Sequence, residues 1–353
     1  MSNTITQTSP RRIALSAVAA FAVAGGLGAC GDDSGTDSAR AGAGDQGAVK
    51  GTTASSSDLD LSKVTLRVGV QKDGIRAVLA KTGALKGAPY KVEFSTFQFG
   101  PPLVEAAGAD KIDLAWVGNT PPLFGAAAGS DFKIIAAVRE YDSQENSLIV
   151  HQGSPIKDFK DLVGKKVAVP KGSSANGYLF SGLKREGIDP EQVELVYLPP
   201  ADGLAAFTSK RVDAWVVWDP FVQQAELSAG GVAVQGGEPD EHGIGFQIAS
   251  SKALEDPAKR AAFTDYLGRL QTAWTWAKQH PDGWAEAWSK DSGLPLEVTQ
   301  KAAVAKASRL APVDGEVIGY EQTLADLLAS EGVLPKKVDF TSIVEQGVFE
   351  PTE

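Results

Sequence analysis

From Val64 to Ser250, short runs of β-branched and aromatic residues alternate with stretches of helical periodicity. That alternation restricts the chain to an α/β architecture, in which strands are covered by helices. It places strands at 64–70, 92–96, 114–117, 133–137, 148–151, 166–169, 193–198, 214–218, 232–235 and 245–249. Helices are expected between them at 75–82, 103–107, 121–128, 175–186, 203–209 and 221–228. Beyond Ser250 the pattern turns wholly helical, with helices expected at 257–279, 281–289, 296–307 and 317–331. Two α/β segments followed by a helical C-terminal segment make two lobes joined by chain crossings. Residues 62–151 with 243–353 form the first lobe, and 152–242 the second. The body from about residue 62 onward is long enough for each lobe to bury its own core.

The first thirty residues read as an address. Ser9-Pro10-Arg11-Arg12 is a positive start, and residues 13–23 are an apolar run too short to span a bilayer. Leu27-Gly28-Ala29-Cys30 resembles a bacterial lipobox, which makes 1–29 a lipoprotein signal peptide and Cys30 the lipidated residue. The twin arginines leave Sec and Tat export both open. Cys30 is the single cysteine of the chain, so no internal disulfide can form and no thiol is left for catalysis. Gly, Ser, Ala and Asp dominate the next stretch, and residues 30–61 read as a lipid-anchored flexible linker. The body is therefore expected outside the cytoplasm, tethered to the cell membrane and facing the periplasm or cell surface. Net charge is −10, and loss of the two arginines in 1–29 leaves about −12. Such an acidic chain is a poor partner for nucleic acid, and an anion site on it must be built from local donors.

In open α/β sheets ligands bind beyond the carboxyl ends of the strands, which directs attention to four loops. These are Gln71-Lys72-Asp73-Gly74, Phe99-Gly100-Pro101-Pro102, Gly118-Asn119-Thr120-Pro121-Pro122 and Lys171-Gly172-Ser173-Ser174-Ala175-Asn176. Each opens a helix, whose unpaired N–H groups and partial positive charge bind anions without a cationic side chain. Gly100 and Gly118 are candidate ligand-binding positions in these loops, and Asn119, Thr120, Ser173, Ser174 and Asn176 add short polar side chains that donate or cap. Gln71 and Lys72 supply an amide and a direct cation. In 214–221, strand alternation puts Trp215 in the core, while Trp218 and Asp219 stand at the carboxyl end beside the cleft, where an indole can cover an alkyl chain. Trp274, Trp276, Trp284 and Trp288 read as packing in the helical segment, and Phe97, Phe99 and Phe246 join Trp218 in setting pocket length. The three histidines are scattered, so no zinc site is expected, and no cofactor is implied.

These loops also carry a family resemblance. In order, Val68-Gly69-Val70-Gln71-Lys72, Gly118-Asn119-Thr120-Pro121-Pro122-Leu123-Phe124, Gly153-Ser154-Pro155, Lys171-Gly172-Ser173 and Val212-Asp213-Ala214-Trp215-Val216-Val217-Trp218-Asp219-Pro220 resemble the aliphatic sulfonate-binding components of ABC importers, within the nitrate/sulfonate/taurine group. The resemblance spans about 64–340 and implies a two-lobed periplasmic-binding-protein fold of type II-like form, with a hinge. It implies capture of an organosulfonate between the lobes by a monomer that delivers it to a membrane permease, whose ATPase lies on the cytoplasmic side. Nitrate, a phosphonate, a sulfate ester and an aromatic sulfonate remain as alternative ligands. Sulfonate binders of this group commonly carry Glu at the place of Asn119, a departure that argues against taurine-like zwitterions and for a simple monoanion. The same fold hosts enzymes. A desulfinase needs a cleft cysteine where this chain has Gln71, and pyrimidine-synthase relatives need a histidine- and cysteine-rich set that it lacks.

Overall fold

The structure, a computed structural model, describes residues 59–141, 146–234 and 243–349. Cys30, the signal peptide and most of the linker lie outside the described residues. Eleven strands are described, in two sheets. The first holds β1 (Thr65–Val70), β2 (Lys91–Thr96), β3 (Leu114–Gly118), β4 (Phe132–Glu140), β10 (Ile244–Ser250) and β11 (Ser308–Ala311), in the order β11-β4-β10-β3-β1-β2. The second holds β5 (Asn146–His151), β6 (Lys166–Val169), β7 (Glu194–Tyr197), β8 (Ala214–Trp218) and β9 (Gly231–Val234), in the order β7-β6-β8-β5-β9. In each sheet three strands run parallel, β2-β1-β3 and β7-β6-β8, and one strand, β10 or β5, pairs antiparallel on both of its sides. The central strands β3 and β8 are buried at every position, which is why they read as unbroken apolar runs.

The helices are α1 (Ile75–Thr82), α2 (Gly100–Gly108), α3 (Thr120–Ala128), α4 (Ser174–Arg185), α5 (Pro200–Thr208), α6 (Phe221–Ser228), α7 (Ser251–Leu254), α8 (Pro257–Gln279), α9 (Pro281–Ser292), α10 (Leu296–Ala305) and α11 (Gly315–Ser330). Local chemistry sets several boundaries. Asp256 accepts from Ala258 N–H at 2.9 Å ahead of Pro257, and Asp314 caps α11 through Val317 N–H at 2.9 Å. Glycine closes α3, since Gly129 sits at φ 82°.

Two expectations need correction. Residues 146–151 do not belong to the first lobe: β5 pairs β8 and β9, so the chain crosses before Asn146 rather than after His151. Strand spacing along the chain carries no label for which sheet a strand joins. The segment after Ser250 is also not wholly helical, because Ser308–Ala311 adds antiparallel to β4. Four residues following a helix show no period of their own; the free edge of β4 makes them a strand.

Apolar clusters fill both faces of the first sheet. α1, α8 and α9 cover one face around Leu66, Val78 and Trp284; α2, α3 and α11 cover the other around Leu103, Ile134 and Phe340. A third cluster, around Trp215 and Phe207, is the core of the second lobe. The lobes touch where α4 lies on α3 and α11. There Phe180 enters the apolar cluster of the first lobe. A Cβ on Gly177 would stand only 2.2 Å from Thr120 Oγ1, so glycine is what permits this approach. Among the described residues, no helix is long and apolar enough to cross a membrane.

Candidate functional site

The carboxyl ends of β1, β3, β6 and β8 converge where the two sheets face each other, and two adjoining spaces open there. A small polar recess is lined by Gln71, Gly100, Trp116, Gly118, Pro121, Ser173, Ser174 and Trp218. Beside it lies a chamber of about 430 Å³. Its polar wall is Gln71, Lys72, Asp73, Thr96, Gln98, Asp219 and Gln224; its apolar wall includes Phe97, Leu204, Trp218, Phe221 and Leu294. Gln71 and Trp218 belong to both spaces.

Helix starts supply the donors of the recess. Ser173 caps α4, accepting from Asn176 N–H at 3.3 Å while its own hydroxyl donates to Pro170 O at 2.6 Å. That leaves the N–H groups at the first positions of α4, Ser174 and Ala175, facing outward from the helix end. The Ser174 hydroxyl bonds Asn146 Oδ1 at 3.1 Å, tying α4 to the first residue of β5. In α2 and α3 the pairs Pro101-Pro102 and Pro121-Pro122 carry no N–H, so the donors ahead of them are those of Gly100 and Thr120.

Gln71, Lys72, Gly100, Gly118, Ser173, Ser174, Trp218 and Asp219 line the two spaces. Asn119, Thr120 and Asn176 are not among the lining residues. Asn119 makes no cap bond; its Oδ1 accepts from the Thr120 hydroxyl at 3.0 Å, and Thr120 is buried against Gly177 of the other lobe. Asn176 uses its Oδ1 to hold Gly172 N–H at 3.0 Å, which shapes the loop before α4. Phe246 is buried against Phe340 and takes no part in pocket length. Trp215 is fully buried in the core of the second lobe.

Trp116 and Asp73 are not among the site residues expected from the sequence. Trp116 reaches the recess from the middle of β3; alternation along a fully buried strand gives no sign that one of its faces meets a cavity. Asp73 is buried, accepts from Ile75 N–H at 3.1 Å and faces the chamber. Behind it, Lys306 makes a buried ion pair with Glu140. Burial pushes the carboxyls of Asp73, Glu140 and Asp219 up, and the Lys306 ammonium pulls each of them back toward ionisation. Of these three carboxyls, Asp73 and Asp219 line the chamber, and burial disfavours the charged form of each. Among the described residues, no cluster of His, Cys, Asp and Glu could hold a metal ion.

Two α/β lobes with strand ends, helix starts and a divided cavity between them define a solute-binding protein of the periplasmic type. The chain belongs to the NMT1/THI5-like family, which matches residues 92–283, and within it to the aliphatic sulfonate-binding group. A protein of Escherichia coli named for binding aliphatic sulfonates is 33% identical over 297 residues, covering 83% of this chain and 91% of its own. Among solved structures, the alkanesulfonate-binding protein SsuA of Xanthomonas axonopodis pv. citri, bound to MOPS, superposes with a TM-score of 0.74 at 29% identity, covering 80% of this chain and 98% of its own. The periplasmic aliphatic sulphonate binding protein SsuA of Escherichia coli gives 0.72 at 30% identity, over 82% and 94% of the two chains. The close relatives are binding proteins.

Proposed function

We propose that this protein captures an organosulfonate between its lobes and passes it to the membrane permease of an ABC importer. The observation that carries this reading is the division of the cleft. A recess rimmed by helix N–H groups suits a compact oxyanion, and it opens directly onto a chamber with an aromatic and aliphatic wall. A sulfonate held by Gly100, Gly118, Ser173 and Ser174 would send its organic tail past Trp218 toward Phe97, Phe221 and Leu294. Asn119, Thr120 and Asn176 then act by shaping the loops, Lys72 supplies a cation at the chamber rim, and Asp219 with Asp73 sets the charge of the floor. A large chamber favours a bulky tail over a methyl group, and the MOPS complex of the Xanthomonas relative is in keeping with that. The protein works as a binder rather than an enzyme, as a monomer, outside the cytoplasm and held to the membrane by lipid on Cys30.

A thermal-shift panel tests the ligand class, because a solute that binds only the folded state raises the melting temperature. Methanesulfonate, MOPS, benzenesulfonate, a sulfate ester, nitrate and a phosphonate form the panel, run on the parent and on Trp218→Ala. Sulfonates should stabilise the parent, and Trp218→Ala should lose most of the shift for MOPS and benzenesulfonate but little for methanesulfonate. Stabilisation by nitrate or phosphonate alone would remove the sulfonate reading.

A further inference from the structure

We propose that Trp284 and Trp288 of α9 are positioning residues for solute capture, their indole N–H groups setting the backbone of the 71–74 loop that presents Gln71 and Lys72 to the cleft. This rests on the reading of that cleft as the ligand site. Trp284 Nε1 donates to Gly74 O at 3.0 Å, and Trp288 Nε1 donates to Lys72 O at 3.0 Å. The two rings stack with centroids 5.3 Å apart, and both are fully buried. Trp116 and Trp215 are also buried, yet their indole nitrogens have no hydrogen-bond partner among the described residues, so bonding to a carbonyl is not something every indole here achieves.

The loop needs such a clamp. Gly74 sits at φ 81°, and a Cβ there would meet Trp288 Cδ2 at 2.7 Å and Trp284 Nε1 at 2.9 Å. The turn between β1 and α1 is therefore molded on two rings from a helix more than 200 residues later, as the separations of 210 and 216 residues in those bonds record. Asp73 completes the loop by accepting from Ile75 N–H, and the loop's other side is the chamber. Leu294, two residues past the end of α9, lines the same chamber. One helix of the C-terminal segment thus shapes the wall and holds the loop.

Trp288→Phe and Trp284→Phe delete the donor together with part of the ring that packs on Gly74, so exchange in the strands is read beside exchange in the loop to separate positioning from packing. In the free protein, hydrogen–deuterium exchange should quicken at the 71–75 amides of each variant while the strands of both sheets keep their protection. Calorimetric titration with the tightest-binding sulfonate of the panel should show roughly tenfold weaker binding for Trp288→Phe, as expected for one lost orienting hydrogen bond. In a Gln71→Ala background the same change should cost much less, because the group being positioned is gone. Unchanged loop exchange in both variants, or full additivity with Gln71→Ala, overturns the proposal. If Gln71→Ala leaves affinity unchanged, the ligand site has been misplaced, and the exchange result still judges the clamp on its own.

Discussion

Asp113 shows how a single side chain ties distant elements together. It is fully buried immediately ahead of β3, and its oxygens accept from Arg67 N–H at 2.8 Å, Arg67 Nη2 at 2.6 Å and Lys259 Nζ at 2.9 Å. Burial works against its ionisation, but the bonds from Arg67 and Lys259 outweigh it and hold the carboxyl below the usual aspartate range. A carboxyl depressed in the folded state contributes stability that is complete above its unfolded value, about 3.9, and is lost as pH falls through the folded value. Asp113→Asn should therefore destabilise the protein at pH 7. Breaking a fully buried pair costs about 3–5 kcal/mol, and because Arg67 and Lys259 keep partial access to water we expect roughly 2 kcal/mol. Urea titrations at pH 7 and pH 3 check this: the gap between parent and variant should narrow in acid. A gap as wide at pH 3 as at pH 7 would mean that the carboxylate charge is not what stabilises.

At the scale of elements, the contact between α3 and α4 governs how closely the lobes approach. Gly177 is there because Thr120 Oγ1 occupies the space that any Cβ would need. Gly177→Ala inserts a methyl group where packing is already complete, a change that typically costs about 1–3 kcal/mol. The two lobes can relieve the clash by separating, so much of the cost falls on the closed arrangement. A ligand that bridges the lobes must then offset that difference, and affinity should fall about tenfold for each ~1.4 kcal/mol. Titration calorimetry with small-angle scattering reads both quantities. The variant should bind more weakly and show a larger radius at the same ligand concentration; parental values for both would mean that α3 and α4 do not control closure.

For the whole molecule, the chain passes between two sheets while its C-terminal helices return to cover the first. The proposed lipid on Cys30 adds a tether to this body, and the tether and the ligand site are separable. Cys30→Ser should release the protein from the membrane fraction of the producing cell, while the purified body keeps parental sulfonate affinity. Fractionation with mass measurement of the product decides: a variant still in the membrane fraction with the parental mature mass contradicts the anchor.

The sequence by itself determined the α/β class, most of the strands and the helix starts, since these depend on local periodicity and on residues a few positions apart. α1, α6 and α8 have the bounds that their apolar spacing, prolines and caps imply. The loops holding Gln71, Gly118 and Ser173 were legible for the same reason, because a strand end leading through glycine, serine or proline into a helix is a local signal. Tertiary structure alone decided what depends on partners far along the chain. Ser308–Ala311 became a strand because β4 had a free edge, and 146–151 joined the second sheet because β8 and β9 flank it. The engagement of Asn119 Oδ1 by the Thr120 hydroxyl and of Asn176 Oδ1 by Gly172 N–H, and the seating of Thr120 against Gly177, likewise appear only in the folded chain. Lys306 beneath the chamber, and Trp284 and Trp288 on the carbonyls of the 71–74 loop, lie more than 200 residues from the loop they serve. Spacing along a chain encodes its local conformation, whereas hydrogen bonds and ion pairs between remote segments exist only once the cores have brought those segments together.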